Sequence, residues 1–190
     1  MGGNAIRNGV VIVDLDGNDN LDFAFTDILN GGQVTACRGD GTGAASSCDA
    51  FAVGGLPVGL AAGDIDGDGS TDLVSADSLS NTATILLGQG NGAFEDGVAV
   101  PTGEGPQQVA LADLNLDGFD DLVVTHAGDA TVRLFLFDPD LGTMEPSAVF
   151  DTEVGTPSDI VTADFNDDGA VDIAIGNANE SAVGLLLSDA

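Results

Sequence analysis

The chain has 190 residues and a formal charge of −29, set by 32 acidic residues against three arginines and no lysine. Arg7, Arg38 and Arg133 cannot assemble a basic patch, which excludes nucleic acid and anionic membrane surfaces as partners held by positive charge. Hydrophobic residues make up 43% in regular, turn-punctuated runs, which argues against disorder, and no run approaches the length of a membrane span.

Met1 to Val10 has neither the basic start nor the apolar centre of a signal peptide, so any export signal is expected outside this segment. A lysine-free acidic surface also suits salty water, where screening over a few ångströms moderates self-repulsion.

Four units of about fifty residues follow one another, expected at 8–56, 57–105, 106–156 and 157–190. In the first, residues 10–13, 23–25 and 33–36 read as strands, being short β-rich runs bounded by Gly, Asn and Asp. In the second, strands are expected at 57–63, 73–76 and 82–87, with a polar turn at 78–81 and a glycine-rich hairpin at 88–92. Its fourth strand is expected to open at Ala93-Phe94. The third unit repeats the plan at 109–112, 122–124 and 131–137, with a hairpin at 138–142 and Met144 in the place of Phe94. The fourth gives 160–162, 173–175 and 182–187 and stops there, one outer strand short. No segment carries a sustained helical stripe, so helices should be nearly absent.

An acidic loop joins the first and second strands of every unit. The first holds Asp14, Asp16, Asn18, Asn20 and Asp22 at positions 1, 3, 5, 7 and 9; the second holds Asp64, Asp66, Asp68, Ser70 and Asp72. The third holds Asp113, Asn115, Asp117, Phe119 and Asp121, and the fourth Asp164, Asn166, Asp168, Ala170 and Asp172. Carboxylates or amides stand at positions 1, 3, 5 and 9 throughout, while position 7 varies freely, as expected of a ligand that offers only its backbone carbonyl. Oxygen donors crowded in this way repel one another unless a hard cation sits among them, and Ca2+ takes six to eight oxygens in a flexible shell. About four Ca2+ ions, one per loop, are expected. An EF-hand is excluded, since position 12 is Phe25, Ser75, Val124 or Ile175 rather than glutamate and lies in a strand. The competing reading is four solvated turns, because Asp, Asn and Gly are ordinary turn formers. Glycine at position 6 (Gly69, Gly118, Gly169) suits a left-handed backbone, with Asp19 in its place in the first loop.

Cys37 and Cys48 are the only cysteines and fall short of a zinc site with the lone His126. A local disulfide in an oxidising compartment is the favoured reading, and two buried thiols the alternative. Arg38-Gly39-Asp40 has the form of an integrin-recognition tripeptide but falls where Gly90-Asn91-Gly92 makes the hairpin of the second unit, so it reads as a turn. His126 follows a strand without a Ser, Cys or second His partner and reads as a turn residue. Phe94, Phe135, Phe137, Phe150 and Phe165 read as core or inter-unit packing, and the lack of Trp and Tyr weakens a lectin reading.

The run from Val109 through Asp113 to Val124, with Thr84 to Phe94 in the neighbouring unit, resembles the FG-GAP/VCBS repeat of integrin-α-type calcium-binding β-propellers. The resemblance recurs four times and spans essentially the whole chain. It implies an all-β propeller-type array of four blades, each with a Ca2+ ion in its first loop. The fold serves many functions, so activity does not follow from it. With the acidic residues absorbed by the loops and one histidine, no catalytic constellation stands out, and the chain is expected to be non-catalytic. The expected role is extracellular or cell-surface: adhesion, matrix or surface assembly, with a protein or glycan partner or self-association through open blade edges. The alternatives are the propeller portion of a secreted polysaccharide- or phosphoester-acting enzyme, and a carbohydrate-binding module.

Overall fold

Alternation of side chains along a strand places one set on each face of a sheet, and here most strands are apolar on both faces. Such strands are stable only when sandwiched, and the chain meets this demand by stacking sheets face to face. The computed structural model describes residues 9–29, 31–152, 156–177 and 183–188, and among these every regular element is a strand.

The first sheet runs β1 (Val10–Val13), β2 (Asp22–Asp27), β3 (Gln33–Gly39) and β4 (Ala45–Ala52), in that spatial order. The second is β5 (Pro57–Gly63), β6 (Asp72–Asp77), β7 (Thr82–Leu86) and β8 (Val98–Pro101). The third is β9 (Pro106–Ala112), β10 (Asp121–His126), β11 (Thr131–Asp138) and β12 (Thr143–Asp151). The fourth has three described strands, β13 (Pro157–Ala163), β14 (Asp172–Asn177) and β15 (Val183–Leu186). Every neighbour is antiparallel, so each sheet is a meander, with the acidic loop joining its first and second strands.

Successive sheets pack on one another through their first strands, β1 on β5, β5 on β9 and β9 on β13. The core lies between sheets. Leu15, Ala24, Leu60, Leu73, Leu86 and Phe94 fill the first interface. Ile65, Val74, Ile85, Leu122, Val124 and Phe135 fill the second, and Val123, Val132, Ile173 and Ile175 the third. β6 and β10, covered on both faces, are buried along their whole length, whereas β1 alternates exposed and half-buried because only one face is covered.

Two expectations are corrected. The outer strand of the second sheet begins at Val98 rather than at Ala93; Phe94 makes only an isolated bridge to Gly88 while its ring plugs the core beneath. Phe150 and Phe165 are exposed, at 37% and 47%, unlike the buried Phe94, Phe135 and Phe137. Phe165 occupies position 2 of its loop, where Leu15 and Ile65 are buried against the next sheet; beyond the fourth sheet no such sheet is described.

Candidate metal centres

The four acidic loops share one hydrogen-bond scheme. The position-1 carboxylate accepts the position-6 N–H in each: Asp14 from Asp19 (2.7 Å), Asp64 from Gly69 (3.1 Å), Asp113 from Gly118 (2.9 Å) and Asp164 from Gly169 (2.9 Å). The position-5 side chain accepts the position-7 N–H, at 2.8, 2.7, 3.0 and 2.9 Å for Asn18, Asp68, Asp117 and Asp168. These bonds wind the chain tightly and require left-handed residues. Position 6 meets the expectation, with φ of 64° at Asp19 and 85–93° at the three glycines. Position 4 is left-handed as well, at Gly17, Gly67, Leu116 and Asp167. The glycines of the first two loops were the available signal for it; Leu116, at φ 61°, carries a side chain in a region that costs an L-residue ~1–2 kcal/mol.

Position 9 does the most structural work. Asp22, Asp72, Asp121 and Asp172 are all fully buried. In each, Oδ2 accepts the N–H of position 2, from Leu15, Ile65, Leu114 and Phe165 at 2.8–3.0 Å. Oδ1 accepts an N–H at the end of the third strand, from Gly39, Gly88, Phe137 and Ser188 at 2.7–2.9 Å. One carboxylate therefore ties the loop to the second and third strands. Burial pushes the Asp72 carboxyl up to about 6, against the pull of the Gly88 and Ile65 N–H groups and with help from Asp66 and Asp64. Asp121 is raised by burial in the same way.

In the first two loops, carboxylate oxygens of positions 1, 3 and 9 converge: Asp14, Asp16 and Asp22, and likewise Asp64, Asp66 and Asp72, each set lying within 4.8 Å of one another. One oxygen in each group, Asp16 Oδ1 and Asp64 Oδ1, is inaccessible to solvent and has no hydrogen-bond donor among the described residues. An acceptor left orphaned among anions is the signature of a place that wants a cation, so the donor set fits a hard, oxygen-preferring ion. The position-5 carboxylate Asp68 stands outside its group. The third and fourth loops differ. Asparagine at position 3 donates its amide to the position-5 carboxylate, Asn115 to Asp117 (2.8 Å) and Asn166 to Asp168 (2.9 Å), and among the described residues no three-carboxylate group forms there.

Neighbouring loops are also tied to each other through position 8, which the sequence reading passed over. Asp120 accepts the Asp64 N–H at 2.9 Å and returns its own N–H to the Asp64 carbonyl at 3.3 Å. Thr71 donates its hydroxyl to the Asp14 carbonyl at 3.1 Å.

The remaining candidates resolve as structure. Cys37 and Cys48 are cross-strand partners on β3 and β4 and form a disulfide. Arg38 is spent on an ion pair with Asp49 and on hydrogen bonds to Ser47 Oγ and the Asn91 carbonyl, both 3.0 Å. Gly39 lies so close to the Leu21 carbonyl that a Cβ would collide; Arg38 and Gly39 end β3, and only Asp40 enters the hairpin, so the turn expected of the tripeptide is corrected to a strand end. His126 is corrected: it is the fully buried last residue of β10, not a turn residue. Among the described residues neither ring nitrogen reaches a partner at hydrogen-bonding geometry, and burial depresses its pKa to about 4, opposed by Asp129 and the Thr131 backbone and reinforced by Arg133. Asp77 and Asn177 end the second strands of the adjacent sheets, and that shared position was the signal for a polar group at a buried strand end.

The FG-GAP-like repeat profile matches residues 64–124 and again 113–175, more than half of the chain. The chain belongs to the FG-GAP-like repeat family. No curated protein matches this FG-GAP chain. Among solved structures, BBS1N in complex with ARL6DN, soaked with lead, is 13% identical with a TM-score of 0.58, over 88% of this chain and 50% of that one. The Vibrio cholerae biofilm matrix protein Bap1 is 19% identical with a TM-score of 0.47, over 92% and 30%. A Lactobacillus plantarum protein is 14% identical with a TM-score of 0.42, over 97% and 54%. The FG-GAP chain thus spans about half or less of these chains, and the first similarity is one of fold.

Proposed function

We propose that the chain is a calcium-stabilised, non-catalytic β-propeller segment acting outside the cell in adhesion, matrix or surface assembly. The observation that carries the cation is the pair of converging carboxylate groups, each with a buried oxygen lacking a donor. In this reading Asp14, Asp16 and Asp22 hold one Ca2+ and Asp64, Asp66 and Asp72 another. The third and fourth loops use Asp113, Asn115, Asp117 and Asp121, and Asp164, Asn166, Asp168 and Asp172. The position-7 carbonyls of Asn20, Ser70, Phe119 and Ala170 complete the shells. A bound divalent ion supplies positive charge where the loops concentrate negative charge. The chain's own residues do the rest: position 9 joins the loop to the second and third strands, and positions 1 and 5 hold the loop wound.

The stacked sheets and the FG-GAP repeat support a propeller-type arrangement, and the disulfide supports an oxidising, extracellular location. The partner in this reading is a protein or glycan outside the cell. Calorimetric melting in Ca2+ and in excess EDTA tests the cation. Each site loaded at a hundred times its Kd contributes ~2.7 kcal/mol, so chelation should lower Tm by well over ten degrees and added Ca2+ should restore it. A melt unchanged by EDTA overturns the calcium reading.

A further inference from the structure

Among the described residues, two apolar sheet faces are uncovered, one on the first sheet and one on the fourth. Strand pairing puts Val10, Ile12, Phe23 and Phe25 on one face of the first sheet, and Val10 and Ile12 are exposed there. Pairing likewise puts Val161, Ala174 and Leu185 on the outer face of the fourth sheet, with Phe165 at its loop, and Val161, Leu185 and Phe165 are exposed.

These two faces are the two halves of an interface the molecule already makes. Ile12 and Phe23 pair as Ala62 and Leu73 do in the second sheet and Leu111 and Leu122 in the third. Leu73 and Leu122 are buried against the preceding sheet. Ala174 and Leu185 pair as Val74 and Ile85 do, and Val74 and Ile85 are buried against the following sheet together with Ile65, the counterpart of Phe165. The first sheet therefore presents the half that receives a preceding sheet, and the fourth presents the half that receives a following one.

We propose that the open face of the first sheet docks on the open face of the fourth sheet of a second copy of this chain, head to tail. The contact continues the internal stacking register by register. Because the two halves are different surfaces, the association is heterologous, and two copies that use both ends close a ring of about eight sheets, within the ~4–8 blades of known propellers. The proposal rests on sheet packing and not on the cation, so chelator melts and association are separate readouts. Between two bodies of charge −29 an apolar contact is opposed by long-range repulsion, and salt relieves that repulsion.

Light scattering on the whole chain in Ca2+ tests this, with Ile12→Asp and Leu185→Asp as single-face variants. Both side chains are exposed, at 68% and 50%, and circular dichroism melts confirm that each variant folds. The expected result is a wild-type particle of about twice 18.8 kDa, favoured by added salt, and each variant alone at 18.8 kDa. An equimolar mixture of the two variants should recover a dimer, because each retains the half that the other lacks. A wild-type monomer at high concentration overturns the proposal and leaves these faces to further repeats of a longer polypeptide. Association that survives Ile12→Asp also overturns it, and points to pairing along the β15 edge.

Discussion

His126 shows how far one side chain's behaviour departs from its local sequence. It sits wholly inside, between sheets, as a neutral ring facing Asp129 and Arg133. Its pKa of about 4 in the folded chain lies below the ordinary 6.5, so between these values the unfolded state binds the extra proton. Its contribution to stability is therefore complete above pH 6.5 and is lost as pH falls through 4. His126→Leu fills a similar volume without a titrating group. Urea midpoints measured from pH 7 to 4 should fall less steeply for the variant, with the gap widening to ~2–3 kcal/mol at the acid end. Parallel curves for the two proteins would show that His126 does not carry this dependence. Asn, Gly and Asp around Leu116 announced a turn, but the left-handed backbone at Leu116 itself was illegible, since leucine is a poor occupant of that region.

At the scale of the element, the strands and loops were legible because their signals are local: β-rich runs, punctuation by glycine and a fixed spacing of oxygens. The outer strand of the second sheet was misplaced because Phe94 answers to the core below it rather than to its neighbours in sequence. Within the loops, the side chains at positions 1, 3, 5 and 9 had equal standing as ligands in the sequence. The structure instead sets position 9, which ties the loop to the strands as well as joining the carboxylate group, apart from position 5, a distinction that depends on where the third strand returns. Asp72→Ala tests it. The change strands the buried N–H groups of Ile65 and Gly88, each at ~1–3 kcal/mol, so a loss of at least ~2 kcal/mol is expected even in EDTA. Asp68→Ala removes a single exposed acceptor and should cost under ~1 kcal/mol in the same medium. Equal losses for the two variants would refute the distinction.

For the whole molecule, each sheet leans only on its neighbours, so stability is distributed along the stack as in other repeat proteins. The middle sheets are covered on both faces and the end sheets on one, which orders their opening. In the unassociated single chain, amide exchange should proceed first in β1 and β15 and last in β6 and β10, which are enclosed on both sides. Uniform protection across the four sheets would contradict this. The exposure of Phe165 belongs to this scale too: its letter and its loop position match buried counterparts, and only the neighbouring sheet decides its fate.

The position-9 carboxylate carries a consequence for how such a chain can change over generations. Its two hydrogen bonds both close within one unit, from Ile65 and Gly88 to Asp72, or from Leu114 and Phe137 to Asp121. Each unit thus brings its own fastening. A duplication or deletion of one whole unit leaves every remaining fastening intact and presents the same two kinds of face at the new junction. Such a chain can grow or shrink by entire sheets, while an insertion between positions 2 and 9 would strain the fastening that makes the unit a unit.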